Sequence, residues 1–269
     1  MAARDAPARA RFRAAHNYVV YYGDGRLDDL AQFDVAILES SAYAAGEVED
    51  LSQRGCLPIS YLSVLESSDH LPYHQFAACR DFLTLSGSRV LIPEFDTWVM
   101  DIREPHWREV LLTAAGDMLE RKRFSGLFLD TVSRVEDPSF PASLSLDLAA
   151  GVLEFVSTLR RNYPGAVLIQ NLGLERLVRH TAPLLDGVCW EGFGSLPCHD
   201  SREWRWMLNK IRELKQLREQ YGIRIMLLGH AALGREVEAI LSRSGPDELM
   251  SCWGLSYSRA VQQEMNDRG

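Results

Sequence analysis

Residues 126–137 read GLFLDTVSRVED, a short run suited to burial that ends at once in a carboxylate. An ordinary strand terminus finishes in Gly, Asn or Ser. A strand that ends in an acid, as this one does in Asp130, often delivers that acid to a substrate at the mouth of a barrel or sheet. The reading turns on whether other strands deliver matching groups.

Working outward, similar β-rich apolar runs recur: NYVVYY (17–22), DVAILES (34–40), LPISYLSVLE (57–66), AVLIQN (166–171), GVCWEGF (187–193), IRIMLLGH (223–230) and LMSCWGLSY (249–257). Between most of them lie stretches with helical spacing, among them HWREVLLTAAGDMLERKRF, LDLAAGVLEFVSTLRRNY, SREWRWMLNKIRELKQLREQY and GREVEAILSRS. Strands apolar on both faces that alternate with helices belong to a parallel sheet covered by helices. The pattern predicts an α/β protein, a single (β/α)8 TIM barrel over residues 16–269, with an elaborated loop region after strand three, from about 67 to 104. Pro105 marks the start of the helix that feeds GLFLD, and Tyr163-Pro164-Gly165 stops the helix before AVLIQN. Residues 1–15, with four arginines among the first 13 and no apolar h-region, read as a flexible tail.

Composition bounds the function. The chain has 269 residues, 46% of them hydrophobic, enough for one large core, and 25% are charged. A formal net charge of -8 argues against nucleic acid as a partner and favours a cationic one. Five scattered cysteines without a CxxC pair indicate neither a disulfide framework nor a zinc knuckle. No metal and no cofactor are expected: Pro72 separates the close pair His70 and His74, and YYGDGRLDDL carries Asp28 where the third glycine of a nucleotide loop belongs. With no export signal and no run approaching 18 apolar residues, no membrane partner is expected. The chain reads as a cytoplasmic monomer, or as a secreted one if a leader was removed.

In a (β/α)8 enzyme the chemistry collects where strands end. Here the ends are Tyr22, Glu39, Glu66, Asp130, Asn171, Glu191, His230 and Tyr257. Each alone fits a helix cap or a solvated turn; the coincidence across strands carries the reading. Glycosidic cleavage needs one acid to protonate the leaving oxygen and one carboxylate to attack carbon or activate water, and Asp130 and Glu191 are the best pair. Strands four and six stand about 9 to 10 Å apart, a span that suits a sugar but leaves retaining and inverting chemistry both open. Tyr22, Glu39, Tyr61, Glu66, Asn171, His230 and Tyr257 are the substrate-binding candidates. If Glu191 faces inward so does Cys189, which turns Trp190 towards the helices. The hydroxyls of Thr131 and Ser133 are expected to hydrogen-bond the Asp130 carboxylate.

The segments YLSVLE (61–66), WVMDIREPHWREVL (98–111), GLFLDTVS (126–133), IQNLG (169–173) and GVCWEGF (187–193), in this order, resemble the glycoside hydrolase family 114 domain. The resemblance implies a (β/α)8 barrel that cleaves galactosamine-rich, α-1,4-linked polysaccharide without a cofactor. The acids it implies on strands four and six fall on Asp130 and Glu191. Where that family usually continues strand four as D-N-V-D, this chain has Asp130-Thr131-Val132-Ser133, and Leu65 stands where glycine is common. The loss of the second acid leaves a catalytically impaired carbohydrate-binding barrel as the alternative.

Overall fold

A computed structural model describes residues 7–193, 202–229 and 249–253. Its centre is one sheet of eight parallel strands: β1 (Tyr18–Tyr21), β2 (Val35–Leu38), β3 (Leu57–Ser63), β4 (Gly126–Asp130), β5 (Val167–Asn171), β6 (Gly187–Glu191), β7 (Arg224–Gly229) and β8 (Leu249–Trp253). Each strand pairs with the next in sequence, as right-handed βα units require. The helices are α1 (Ala8–Ala14), α2 (Leu27–Leu30), α3 (Ala45–Gln53), α4 (Pro105–Gly116), α5 (Ala142–Asn162), α6 (Leu177–Thr181) and α7 (Arg202–Tyr221).

Alternation divides strands β1 to β7 between two cores. Val20, Ile37, Ile59, Phe128, Ile169, Cys189 and Met226 join an inner cluster. Their neighbours Val19, Leu38, Leu127, Leu168, Val188 and Leu227 pack outward against helices. The sheet curls strongly, because the Tyr18 hydroxyl on β1 lies 3.9 Å from Cys189 Sγ on β6. Among the described residues no backbone ladder joins β1 to β8, so the architecture is a barrel-like parallel sheet wrapped by helices, open along that seam. The helix expected over 234–244 lies outside the described residues.

Local signals act where expected. Pro105 occupies the first turn of α4, where its missing N–H costs nothing, and α5 ends at Asn162 just before Tyr163-Pro164-Gly165. By length and hydropathy α5 could cross a membrane, yet Leu144, Leu148, Val152, Phe155, Val156 and Leu159 bury its apolar stripe in the core. β3 is shorter than expected: it ends at Ser63, and Glu66–Ser67 forms a separate antiparallel strand against Thr97–Val99. That small sheet, completed by Leu91–Ile92, builds the elaborated region after strand three.

The tail reading of residues 1–15 fails from Ala8 onward, because α1 docks under the sheet. Phe12 is fully buried in the inner cluster, and Gly187 is what lets it in: a Cβ there would stand 2.8 Å from the ring. Arg9 pairs with the buried Asp186 at 2.6 Å, and Arg11 donates to the Gly55 and Cys56 carbonyls at 3.0 Å each. Composition alone cannot separate an arginine-rich tail from an arginine-rich helix whose one aromatic plugs a barrel. Phe12→Ala is therefore expected to destabilise the fold by about 3–5 kcal/mol, the cost of an emptied aromatic site in a packed core, read as a lower urea midpoint. A loss below about 1 kcal/mol would show α1 to be a loose attachment.

Candidate active site

The parity that builds the inner cluster also builds the site. Two residues beyond inward-facing Val20, Ile37, Ile59, Phe128, Ile169 and Cys189 stand Tyr22, Glu39, Tyr61, Asp130, Asn171 and Glu191. The same period of two carries these side chains into the C-terminal mouth, above a floor already filled with apolar groups.

Asn171 is the centre of the arrangement. Its Nδ2 donates to Asp130 Oδ1 and to Glu191 Oε2, both at 2.8 Å. One amide hydrogen serves each acid, so those two carboxylate oxygens stand no more than ~5.6 Å apart, twice the length of either bond. Asn171 is 1% exposed, and its Oδ1 has no hydrogen-bond partner. The second Asp130 oxygen, Oδ2, accepts from the Tyr61 hydroxyl at 2.8 Å. Tyr61 meets Tyr22 edge to face, with ring centroids 5.2 Å apart.

The electrostatics follow from this crowding. Burial raises the Glu191 carboxyl above its ordinary value, and the neighbouring Asp130 charge adds to the rise while the Asn171 hydrogen bond opposes it. Burial also lifts the Tyr22 hydroxyl well above the usual phenol range, helped by the charges of Asp130, Glu191 and Glu39, so it stays a neutral hydrogen-bonding group beside three acids. Glu39 is raised by burial, against hydrogen bonds from the Ser41 N–H and hydroxyl at 3.2 and 3.3 Å.

The expected substrate-binding residues divide. Tyr22, Glu39, Tyr61 and Asn171 share the mouth with the two acids. Glu66 does not join them: it is 5% exposed, its Oε1 held by Arg134 at 2.6 and 2.8 Å and its Oε2 by the Thr97 hydroxyl at 2.6 Å. The arginine that answers Glu66 thus comes from the turn beyond β4, 68 positions along the chain. His230 and Tyr257 lie outside the described residues. Trp190 turns outward as parity requires, onto Phe193 and Trp206 of α7, with centroids 5.1 and 5.4 Å away.

Thr131 departs from expectation. Its hydroxyl is not on the Asp130 carboxylate; it accepts the N–H groups of Val64, Leu65 and Glu66 and donates to the Asp130 carbonyl. Its φ of 63° is left-handed, a conformation that costs a side chain with a Cβ about 1–2 kcal/mol. Ser133 lies in the 3-10 turn Val132–Glu136 that follows. The residues that sequence reading undervalued are Asn171 as a bridge, Tyr61 as a carboxylate partner and Thr131 as a backbone clamp. For the first two, the strand parity was the available signal. Among the described residues no group of three His, Cys, Asp or Glu stands together as a metal site.

The model of glycoside-hydrolase family GH114 matches residues 1–206. Among solved structures, the glycoside hydrolase domain of PelA from Pseudomonas aeruginosa is similar at 22% identity and TM-score 0.72, covering 92% of this chain and 96% of that one. Ega3 from Aspergillus fumigatus, solved in complex with galactosamine, is similar at 13% identity and TM-score 0.65, covering 88% of this chain and 89% of that one. An α-galactosidase from Thermus thermophilus reaches TM-score 0.51 at 15% identity, over 78% of this chain and 50% of that one. At such identities the likeness is one of fold. Comparison with curated proteins finds no match.

Proposed function

This chain belongs to glycoside-hydrolase family GH114, and on that premise we propose that it hydrolyses α-1,4-linked galactosamine polymers with retention of configuration, using Asp130 and Glu191. The observation that carries the reading is the single Asn171 amide shared by both acids, which keeps their facing oxygens within ~5.6 Å. Facing oxygens held this close favour the carboxyl spacing of about 5–5.5 Å found in retaining glycosidases over the roughly 6.5–9.5 Å that inverting ones need to seat a water. The sugar class is supported by the galactosamine bound to the similar Aspergillus protein and by an acidic mouth that complements an ammonium group.

In this mechanism Asp130, aimed by Tyr61 and Asn171, attacks the anomeric carbon as the glycosidic C–O bond breaks. Glu191, whose hold on its proton is strengthened by burial, gives that proton to the departing oxygen. The result is a glycosyl ester on Asp130. Glu191, now a carboxylate, takes a proton from water, and the resulting attack at the same carbon frees Asp130 and restores the original anomer. Glu39 and Tyr22 border the bound sugar. Closure of the barrel between β1 and β8, whose Cα atoms approach within 8 Å, would make the barrel a single domain with α1 docked beneath it. The chain is taken to act as a monomer.

Incubation with partially deacetylated α-1,4-galactosaminoglycan, followed by proton NMR during the first turnovers, is expected to show α-configured reducing ends before mutarotation. Initial β ends would reject the retaining assignment. A polymer left intact would reject the substrate.

A further inference from the structure

We propose that Thr131 is a positioning residue for Asp130, its hydroxyl clamping the strand ends that carry Asp130 and Tyr61. The inference rests on the reading of Asp130 as nucleophile. Three successive N–H groups, from Val64, Leu65 and Glu66, converge on Thr131 Oγ1 at 3.1, 2.8 and 3.2 Å. Such a convergence is a nest, the backbone device that ordinarily holds an anion, and here a side chain of the same protein fills it. The hydroxyl also donates to the Asp130 carbonyl at 2.7 Å, which accepts from Val64 N at 3.0 Å as well.

These bonds begin where regular pairing stops. The β3–β4 ladder runs out at Ser63 opposite Asp130. Beyond it, nothing in a parallel sheet fixes the direction of either chain. The Asp130 carboxylate depends on Tyr61, two residues before the end of β3, for one of its hydrogen bonds. By tying the turn after β3 to the carbonyl of Asp130, Thr131 fixes the relative position of that donor and its acceptor. The left-handed backbone at Thr131 points the same way. Glycine or asparagine would adopt it with less strain, but neither carries a hydroxyl on a short branched stem that reaches the nest. Strain kept beside a reacting group is a sign of function when a specific contact is gained in return.

The test compares Thr131→Ser, Thr131→Val and Thr131→Gly on the galactosaminoglycan, with Asp130→Asn alongside. Serine keeps the hydroxyl and is expected to hold kcat within about twofold. Valine and glycine remove it, and each is expected to lose at least ~10-fold in kcat with KM within about twofold, since a 1 Å misplacement of a reacting group costs up to ~100-fold. Glycine also relieves the backbone, so its loss of kcat would stand even where valine folds poorly. A glycine variant with wild-type kcat, whatever its thermal midpoint, would overturn the proposal and leave Thr131 a structural residue. Full activity of Asp130→Asn would instead remove the nucleophile reading on which the proposal rests.

Discussion

Asp130→Asn is expected to lower kcat by at least ~10³-fold, about 4 kcal/mol of barrier, with little change in thermal midpoint. The amide cannot attack carbon. It can still be accommodated, because the Tyr61 hydroxyl is able to turn and accept from the new NH2 while the amide oxygen keeps the bond from Asn171. Stability therefore holds and chemistry does not, a separation readable by thermal melts beside initial rates. In Asp130→Ala, azide should enter the vacated space and attack from the face that Asp130 used, giving a β-glycosyl azide. An α-glycosyl azide, or near wild-type hydrolysis by Asp130→Asn, would show that Asp130 is not the nucleophile.

Glu191→Gln removes a proton donor and leaves a side chain of the same shape, whose carbonyl oxygen can still accept from Asn171. A loss of roughly 10²–10⁴-fold on polymer is expected. An activated aryl leaving group needs no proton, so such a substrate should restore bond cleavage in Glu191→Gln far more than in Asp130→Asn. The reverse pattern would exchange the two roles. The pH profile gives an independent reading. Glu191 acts in its protonated form and its pKa is raised by burial, so activity should persist above the ordinary glutamic-acid range and fall as pH rises through the raised value. In Glu191→Gln that basic limb should flatten. An unchanged limb would point to another group.

Much of the fold was legible because it rests on local, periodic chemistry. Runs such as YVVY and VAIL are apolar on both faces, which a strand meets only in a helix-covered sheet. Pro105 and the Tyr163-Pro164-Gly165 turn bound helices by backbone sterics alone. Parity then sets Asp130, Asn171 and Glu191 on the side of the sheet that faces the mouth. The misread parts depend on partners distant in sequence. Phe12 meets Gly187 from 175 positions away, and Glu66 meets Arg134 across the whole inserted region. Nothing in RARFRAAH or SVLESSDH distinguishes these from a tail and a free acid.

The sequence by itself determined the class of sheet, the order of its strands and, for Asp130, Asn171 and Glu191, which residues stand at their ends, since these follow from a period of two and from the twist of L-residues; it misplaced the end of β3, which stops at Ser63 and not at Glu66. Only the tertiary structure decided the distance between the two acids, because that distance is set by one asparagine on the strand between them. It also decided which hydroxyl serves the Asp130 carboxylate. Thr131 was the nearest in sequence, but its left-handed backbone turns it to the N–H groups after β3, and Tyr61, 69 residues away, takes its place. Hydrogen bonds at a site depend on direction and sub-ångström distance, and a linear pattern specifies neither until the strands are packed side by side.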